Sequence, residues 1–137
     1  MSRIIIPLSF PLKAIGLPAI PVKLFDDKHI LFLIDTGADI SIMDISLFEY
    51  YKSRVMFSEK SEGIIMATHS TQETIQAQFE FSYEELRYTE VFRCMDCSMG
   101  FNQVQQDSGY QIHGIIGTNF LVKYRWIIDF EKQQIHI

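Results

Sequence analysis

Asp35 stands where a carboxylate can do acid–base chemistry. Four apolar residues, Leu31, Phe32, Leu33 and Ile34, lead into Asp35, Thr36 and Gly37, and Ala38 and Asp39 follow. A strand of this kind delivers an acid into a tight turn at the end of a rigid element, as a catalytic carboxylate requires. Gly37 allows a close backbone approach, and Thr36 carries a hydroxyl able to brace the loop. Asp-Thr-Gly alone says little, because average residue usage yields it in roughly a few chains per hundred of this length. A plain turn uses the same residues. A second segment adds to it: Ile115-Ile116-Gly117-Thr118-Asn119-Phe120-Leu121 sets two apolar residues and a bend-making glycine ahead of a helix.

The elements that must position these residues are mostly strands. Arg3 to Ile6 and Ile20 to Phe25 are short β runs. His29 to Ile34 is nearly all apolar, which predicts burial on both faces. Asp26-Asp27-Lys28 is the turn of a hairpin between the last two. Ile40 to Met43 is a further short strand, and Asp44 can cap a helix through about Tyr51, with Ile45, Leu47, Phe48 and Tyr51 on its apolar face. Gly63 to Ala67 and Thr74 to Phe81 read as strands around a polar tip, Thr68 to Gln72. In the second of them Ile75, Ala77, Phe79 and Phe81 alternate with Gln76, Gln78 and Glu80. Leu86 to Arg93 is another strand. Cys94 to His113, rich in Gly, Ser, Asn, Gln and Asp, reads as a long loop. Asn119 to Tyr124 is a short helix, and Trp126 to Phe130 and Gln134 to Ile137 are closing strands. The expectation is a single mainly-β domain over residues 1–137 with one or two short helices.

Composition narrows the partners. The 137 residues carry a formal net charge of -5 without a Lys/Arg cluster, a poor match to nucleic acid or an anionic membrane. The apolar run Ile30 to Ile34 is too short to span a bilayer, and Ile4 to Ile6, followed by Pro7, is too short for a signal-peptide core. A soluble, cytoplasmic protein is expected. The aromatic residues read as core filling, and no cofactor is expected. Cys94-Met95-Asp96-Cys97 is the one metal or redox suggestion. Structural zinc usually takes four ligands, and after His113 as a third no fourth stands at a convincing spacing. A redox pair belongs at a helix start, which Ser98-Met99-Gly100 does not promise. Two free thiols at a strand end, with no metal, is the plainer reading.

Taken together, in this order and on a mainly-β chain of this length, the Asp35 loop and the Ile115-Ile116-Gly117 segment resemble the retropepsin family of aspartic proteases. The likeness runs over nearly the whole chain. It implies a closed or rolled β domain acting as a two-fold homodimer, an aspartic endopeptidase that binds a peptide or protein substrate. On that resemblance Asp35 is the catalytic acid, and Thr36, Gly37 and Ala38 with Ile115, Ile116 and Gly117 support the catalytic loop. Gly37 and Asp39 receive substrate main chain, and Thr68, His69 and Ser70 belong to a flap over the peptide. Two departures stand out. Retroviral members commonly have Arg directly after this glycine, paired with the acid at the position of Asp39, and here that residue is Thr118. The flap-like segment Ala67 to Thr71 holds no glycine.

Hydrolysis of this kind needs one carboxylate to activate water and a second, protonated, to polarise the carbonyl. The chain has a single Asp-Thr-Gly, and Asp129 lacks a following Thr/Ser-Gly. A two-fold homodimer supplies the second acid by setting Asp35 opposite Asp35. The rival reading is a catalytically inactive dimerisation or peptide-binding module on the same fold, against which the intact Asp35 loop argues.

Overall fold

The computed structural model describes residues 4–60, 64–65, 70–71 and 74–137. In chain order the elements are β1 (Ile5–Pro7), α1 (Ser9–Ala14), β2 (Ala19–Leu24), β3 (His29–Ile34), β4 (Ile42–Asp44) and α2 (Ile45–Tyr51). They continue as β5 (Met56–Lys60), β6 (Ile64–Ile65), β7 (Ser70–Thr71), β8 (Thr74–Tyr83), β9 (Leu86–Met95) and α3 (Ser98–Ser108). β10 (Gly114–Ile116), α4 (Thr118–Tyr124), β11 (Ile127–Asp129) and β12 (Gln134–His136) complete the chain.

The main sheet runs β2-β3-β10-β4-β9-β8 and returns from β8 to β2, where Leu24 lies opposite Phe81, so it closes into a barrel. β8 can serve three neighbours because it is long. One edge carries β9, and the other carries β5 along Thr74–Gln78 and then β2 at Phe81–Ser82. Its alternation is as the sequence reads, with Ala77, Phe79 and Phe81 buried and Gln78 and Glu80 exposed. Phe32 packs against Phe81 and Phe92 at ring distances of 5.4 and 5.3 Å, and Phe120 and Trp126 extend the aromatic core toward α4. The apolar face expected of α2 is present, with Leu47, Phe48 and Tyr51 buried and Asp44 accepting the Ser46 N–H at the helix start.

Four expectations need correction. β3 is not buried on both faces: Ile30, Phe32 and Ile34 point into the core, whereas Leu31 and Leu33 are half-buried and His29 is exposed. Cys94 to His113 is not a long loop. β9 continues through Met95, and α3 follows at Ser98. The Asp96 side chain accepts the Ser98 N–H at 2.9 Å, the Asp44 side chain accepts the Cys97 N–H at 2.8 Å, and Gly109 ends the helix at φ 82. With α1 in addition, the described residues contain four α-helices instead of one or two. Ser70, assigned to the flap tip with Thr71, instead lies in β7, which pairs antiparallel with β6. Thr68, His69 and Gln72 lie outside the described residues.

Candidate active site

The Asp35 loop joins β3 to β4, and β10 is inserted between those two strands. It runs parallel to β3, with Ile116 beside Ile34, and antiparallel to β4, with Ile115 beside Ile42. The expected support segment is therefore in direct contact with both strands that flank the loop. Asp35 N–H extends the ladder by donating to the Ile116 carbonyl at 3.0 Å. Farther along, Thr118 N–H donates to the Ala38 carbonyl at 2.7 Å and Asn119 N–H to the Asp39 carbonyl at 3.2 Å. The Thr118 hydroxyl donates to the Thr36 carbonyl at 2.9 Å. That bond is what the chain makes with the threonine that follows its glycine. Asp39 is exposed, and its backbone, not its carboxylate, ties it to the support segment.

Within the loop, the Gly37 N–H donates to Asp35 Oδ1 at 2.8 Å, an Asx-type contact that fixes the carboxylate. A β-carbon on Gly37 would meet that same oxygen at 3.1 Å. Ala38 is buried beneath the loop, while Thr36 and Gly37 are exposed and Asp35 is half-buried. The acid is thus anchored from below and open above, as a group that must reach a substrate has to be. Gly117 is the tightest point: an added β-carbon would lie 2.4 Å from the Ile40 carbonyl oxygen.

Two residues not singled out in the sequence, Ser41 and Glu90, complete the support. Ser41 is fully buried; its hydroxyl accepts the Gly117 N–H at 3.1 Å and donates to Glu90 Oε2 at 2.9 Å. Glu90, only 7% exposed, also accepts from Val91 N–H at 3.2 Å and from Asn119 Nδ2 at 3.5 Å. A carboxylate so placed needs such donors to offset its desolvation. Ser41→Ala leaves the Gly117 N–H and one Glu90 oxygen without this partner. It is expected to lower stability by about 2 kcal/mol, read as a shift of the urea midpoint at unchanged slope. An unshifted midpoint would show that the network carries no stability.

Cys94 lies in β9 and Cys97 precedes α3; both are free thiols. Burial pushes each up to about 12, with Cys97 adding to the effect on Cys94, and Asp44 and Asp96 adding to that on Cys97. They stay protonated near neutral pH, the wrong state for a nucleophile. His113 is engaged elsewhere, its Nδ1 accepting the Leu31 N–H at 3.4 Å. Among the described residues no three His, Cys, Asp or Glu side chains gather as a metal site would need. The double variant Cys94→Ser, Cys97→Ser is expected to keep the fold at a cost of about 1–2 kcal/mol, because one hydroxyl enters the core. Circular dichroism and metal analysis check this, and stoichiometric zinc or unfolding on chelation would contradict it.

No helix among the described residues is long and apolar enough to cross a membrane. No family model matches the chain. No curated protein sequence matches it. Solved structures do resemble it. The retroviral protease-like domain of Ddi1 from Leishmania major aligns with a TM-score of 0.56 at 15% identity, covering 84% of this chain and 82% of that one. EIAV protease complexed with the inhibitor HBY-793 gives 0.57 at 17% identity, over 80% and 88%. A retropepsin-like aspartic protease from Rickettsia conorii gives 0.59 at 12% identity, over 98% and 89%. The fold is retropepsin-like: mostly β, a closed barrel and a few short helices.

Proposed function

We propose that two copies of this chain form an aspartic endopeptidase, each contributing Asp35 to one catalytic dyad. The carrying observation is the hold on Asp35: its carboxylate is fixed by the Gly37 N–H, its backbone is bonded to Ile116, and the exposed side of the loop faces outward. One carboxylate takes a proton from a water that attacks the peptide carbonyl. The other, protonated, gives its proton to the carbonyl oxygen as the tetrahedral intermediate forms. Collapse of that intermediate breaks the C–N bond: the proton gained from water passes to the departing amine, and one hydroxyl of the intermediate returns its proton to the other carboxylate as the carboxylic acid product forms. Two close carboxyls share one proton readily because both cannot ionise easily.

The remaining roles follow. Thr36 braces one loop against the other across the two-fold axis. The Gly37 carbonyl accepts from substrate backbone, and Asp39, exposed farther along, binds substrate main chain. Thr68, His69 and Ser70 belong to the flap over the peptide. Ile115, Ile116 and Gly117 carry the loop. The unit is residues 1–137 as one protease domain, and it works in the cytoplasm. The test is incubation with a mixed peptide library, wild type beside Asp35→Asn. Cleavage by wild type alone supports the reading. Equal cleavage by both contradicts it, and dimerisation of both without any cleavage favours the inactive peptide-binding module.

A further inference from the structure

α1 and the segment that leaves α3 form one side of a hollow of about 450 Å³, whose other side includes Pro21 of β2 and its cross-strand neighbour Leu31 of β3. That size suits a small molecule. Phe10, in the first turn of α1, and Tyr110, just after the Gly109 helix stop, meet edge to face with ring centroids 5.5 Å apart. Phe10 is 61% exposed and Tyr110 38%, so an aromatic pair stands in solvent at the rim. Pro7, Pro11 and Pro21 line the wall and have no N–H to offer a polar group. The lining contains two imidazoles, His29 and His113, and none of its described residues is acidic. His113 Nδ1 accepts the Leu31 N–H at 3.4 Å, so the ring proton is on Nε2, which has no partner among the described residues. Burial lowers the His113 pKa, Lys28 is close enough to lower it further, and Asp44 acts the other way. The ring is therefore neutral near neutral pH, with Nε2–H as a donor. In a chain of net charge -5, a hollow with a lysine nearby and no acid in its lining is a local exception.

We propose that this hollow binds a small carboxylic acid with an apolar aryl or alkyl body, the body against Phe10, Tyr110 and the prolines and the carboxylate on His113 Nε2–H. The wall has little to hydrogen-bond a sugar or another polar ligand, whereas apolar carbon released from water there is stabilised by burial. An aryl ring can add the edge-to-face contacts that Phe10 and Tyr110 already make with each other. The carboxylate supplies the acceptor that Nε2–H lacks, and a hydrogen bond to an ionised acceptor is roughly twice as strong as one between neutral groups. Lys28 rests over the Tyr50 ring, 4.9 Å from its centroid, so it favours the anion through its field and not through a direct bond. The site is independent of the protease reading, since none of residues 35–39 or 115–117 lines it.

An NMR titration of the full chain, labelled with nitrogen-15, tests this with 4-phenylbutyrate as the probe and 4-phenyl-1-butanol as its uncharged counterpart. The acid is expected to give saturable shifts at Leu31, Tyr110, Gln111 and His113, with a Kd on the order of a millimolar or below, as suits a ligand of this size. The alcohol should bind about tenfold more weakly, because it lacks the charge-assisted bond. Phe10→Asp sets a negative charge and no ring at the rim, on a side chain already in solvent, and should weaken the acid at least about tenfold. Val122→Asp adds the same charge on the exposed face of α4 and should leave binding within about twofold. Magnetisation transfer from the probe's phenyl protons to Pro21 and Tyr110 of the wild type locates the ligand without any substitution. Absence of saturable shifts up to about ten times the expected Kd, transfer to other residues instead, or wild-type affinity in a folded Phe10→Asp protein overturns the site. An alcohol that binds as tightly as the acid overturns the carboxylate assignment. Peptide cleavage plays no part in these readouts, so the protease reading stands or falls separately.

Discussion

Asp35→Asn is expected to lower peptide cleavage by at least about 10³-fold, toward the upper end of what a positioned acid–base group contributes, and to leave the dimer intact. The amide keeps the size of the carboxyl, and its oxygen can still accept the Gly37 N–H that fixes Asp35 Oδ1 at 2.8 Å. It cannot take a proton from water. Loss of activity therefore comes without loss of the loop, and circular dichroism and the urea midpoint should match wild type. Removing the two like groups forced close together favours the dimer slightly. In the wild type, activity should follow a bell-shaped pH profile whose limbs belong to the pair and not to either residue. An Asp35→Asn protein that cuts at the wild-type rate would show that Asp35 is an ordinary turn residue.

Gly117→Ala is expected to be the most disruptive small change in the site, costing about 3 kcal/mol. The new β-carbon would stand 2.4 Å from the Ile40 carbonyl oxygen, 2.5 Å from the Ile40 carbonyl carbon and 3.0 Å from the Ala38 carbonyl oxygen. All three atoms are backbone, so no side chain can swing aside. The support segment has to lift off the loop, breaking the bonds from Thr118 N–H to Ala38 and from Gly117 N–H to Ser41. Gly37→Ala makes the useful contrast, because its β-carbon would meet only the tip of the Asp35 side chain, at 3.1 Å. That change should spare stability and reduce cleavage. Urea denaturation of both variants separates them, and equal midpoints would contradict the account of the support.

The acid loop and its support were legible because their chemistry is written in consecutive residues. An apolar strand, an acid and a glycine sit together at Leu31 to Gly37, and the two apolar residues before Gly117 form a single short strand. The alternation along β8 was legible for the same reason. What escaped the sequence depends on contacts between distant residues or lacks an apolar pattern. α3 buries only Phe101, so no hydrophobic stripe announces it; its start is held by Asp44, more than fifty residues earlier, and by Asp96. Gly109 was the available clue, as a left-handed helix stop. α1 was hidden by Pro7 and Pro11, although a proline in the first turn of a helix forfeits no helical hydrogen bond. Glu90 looks like one more polar residue on an alternating strand. Only the fold brings it to Ser41, 49 residues away, and so beneath the loop.

The measurement that bears most directly on a dyad shared between two chains is a mixing titration. Wild-type chain is held at a fixed concentration, Asp35→Asn chain is added, subunits are allowed to exchange, and cleavage is followed. If each active site needs one Asp35 from each copy, mixed dimers are dead. With random exchange, nine parts of the variant should cut the activity per wild-type chain to about a tenth. Activity per wild-type chain that stays constant as the variant is added would mean that a single Asp35 suffices, and would contradict the shared dyad.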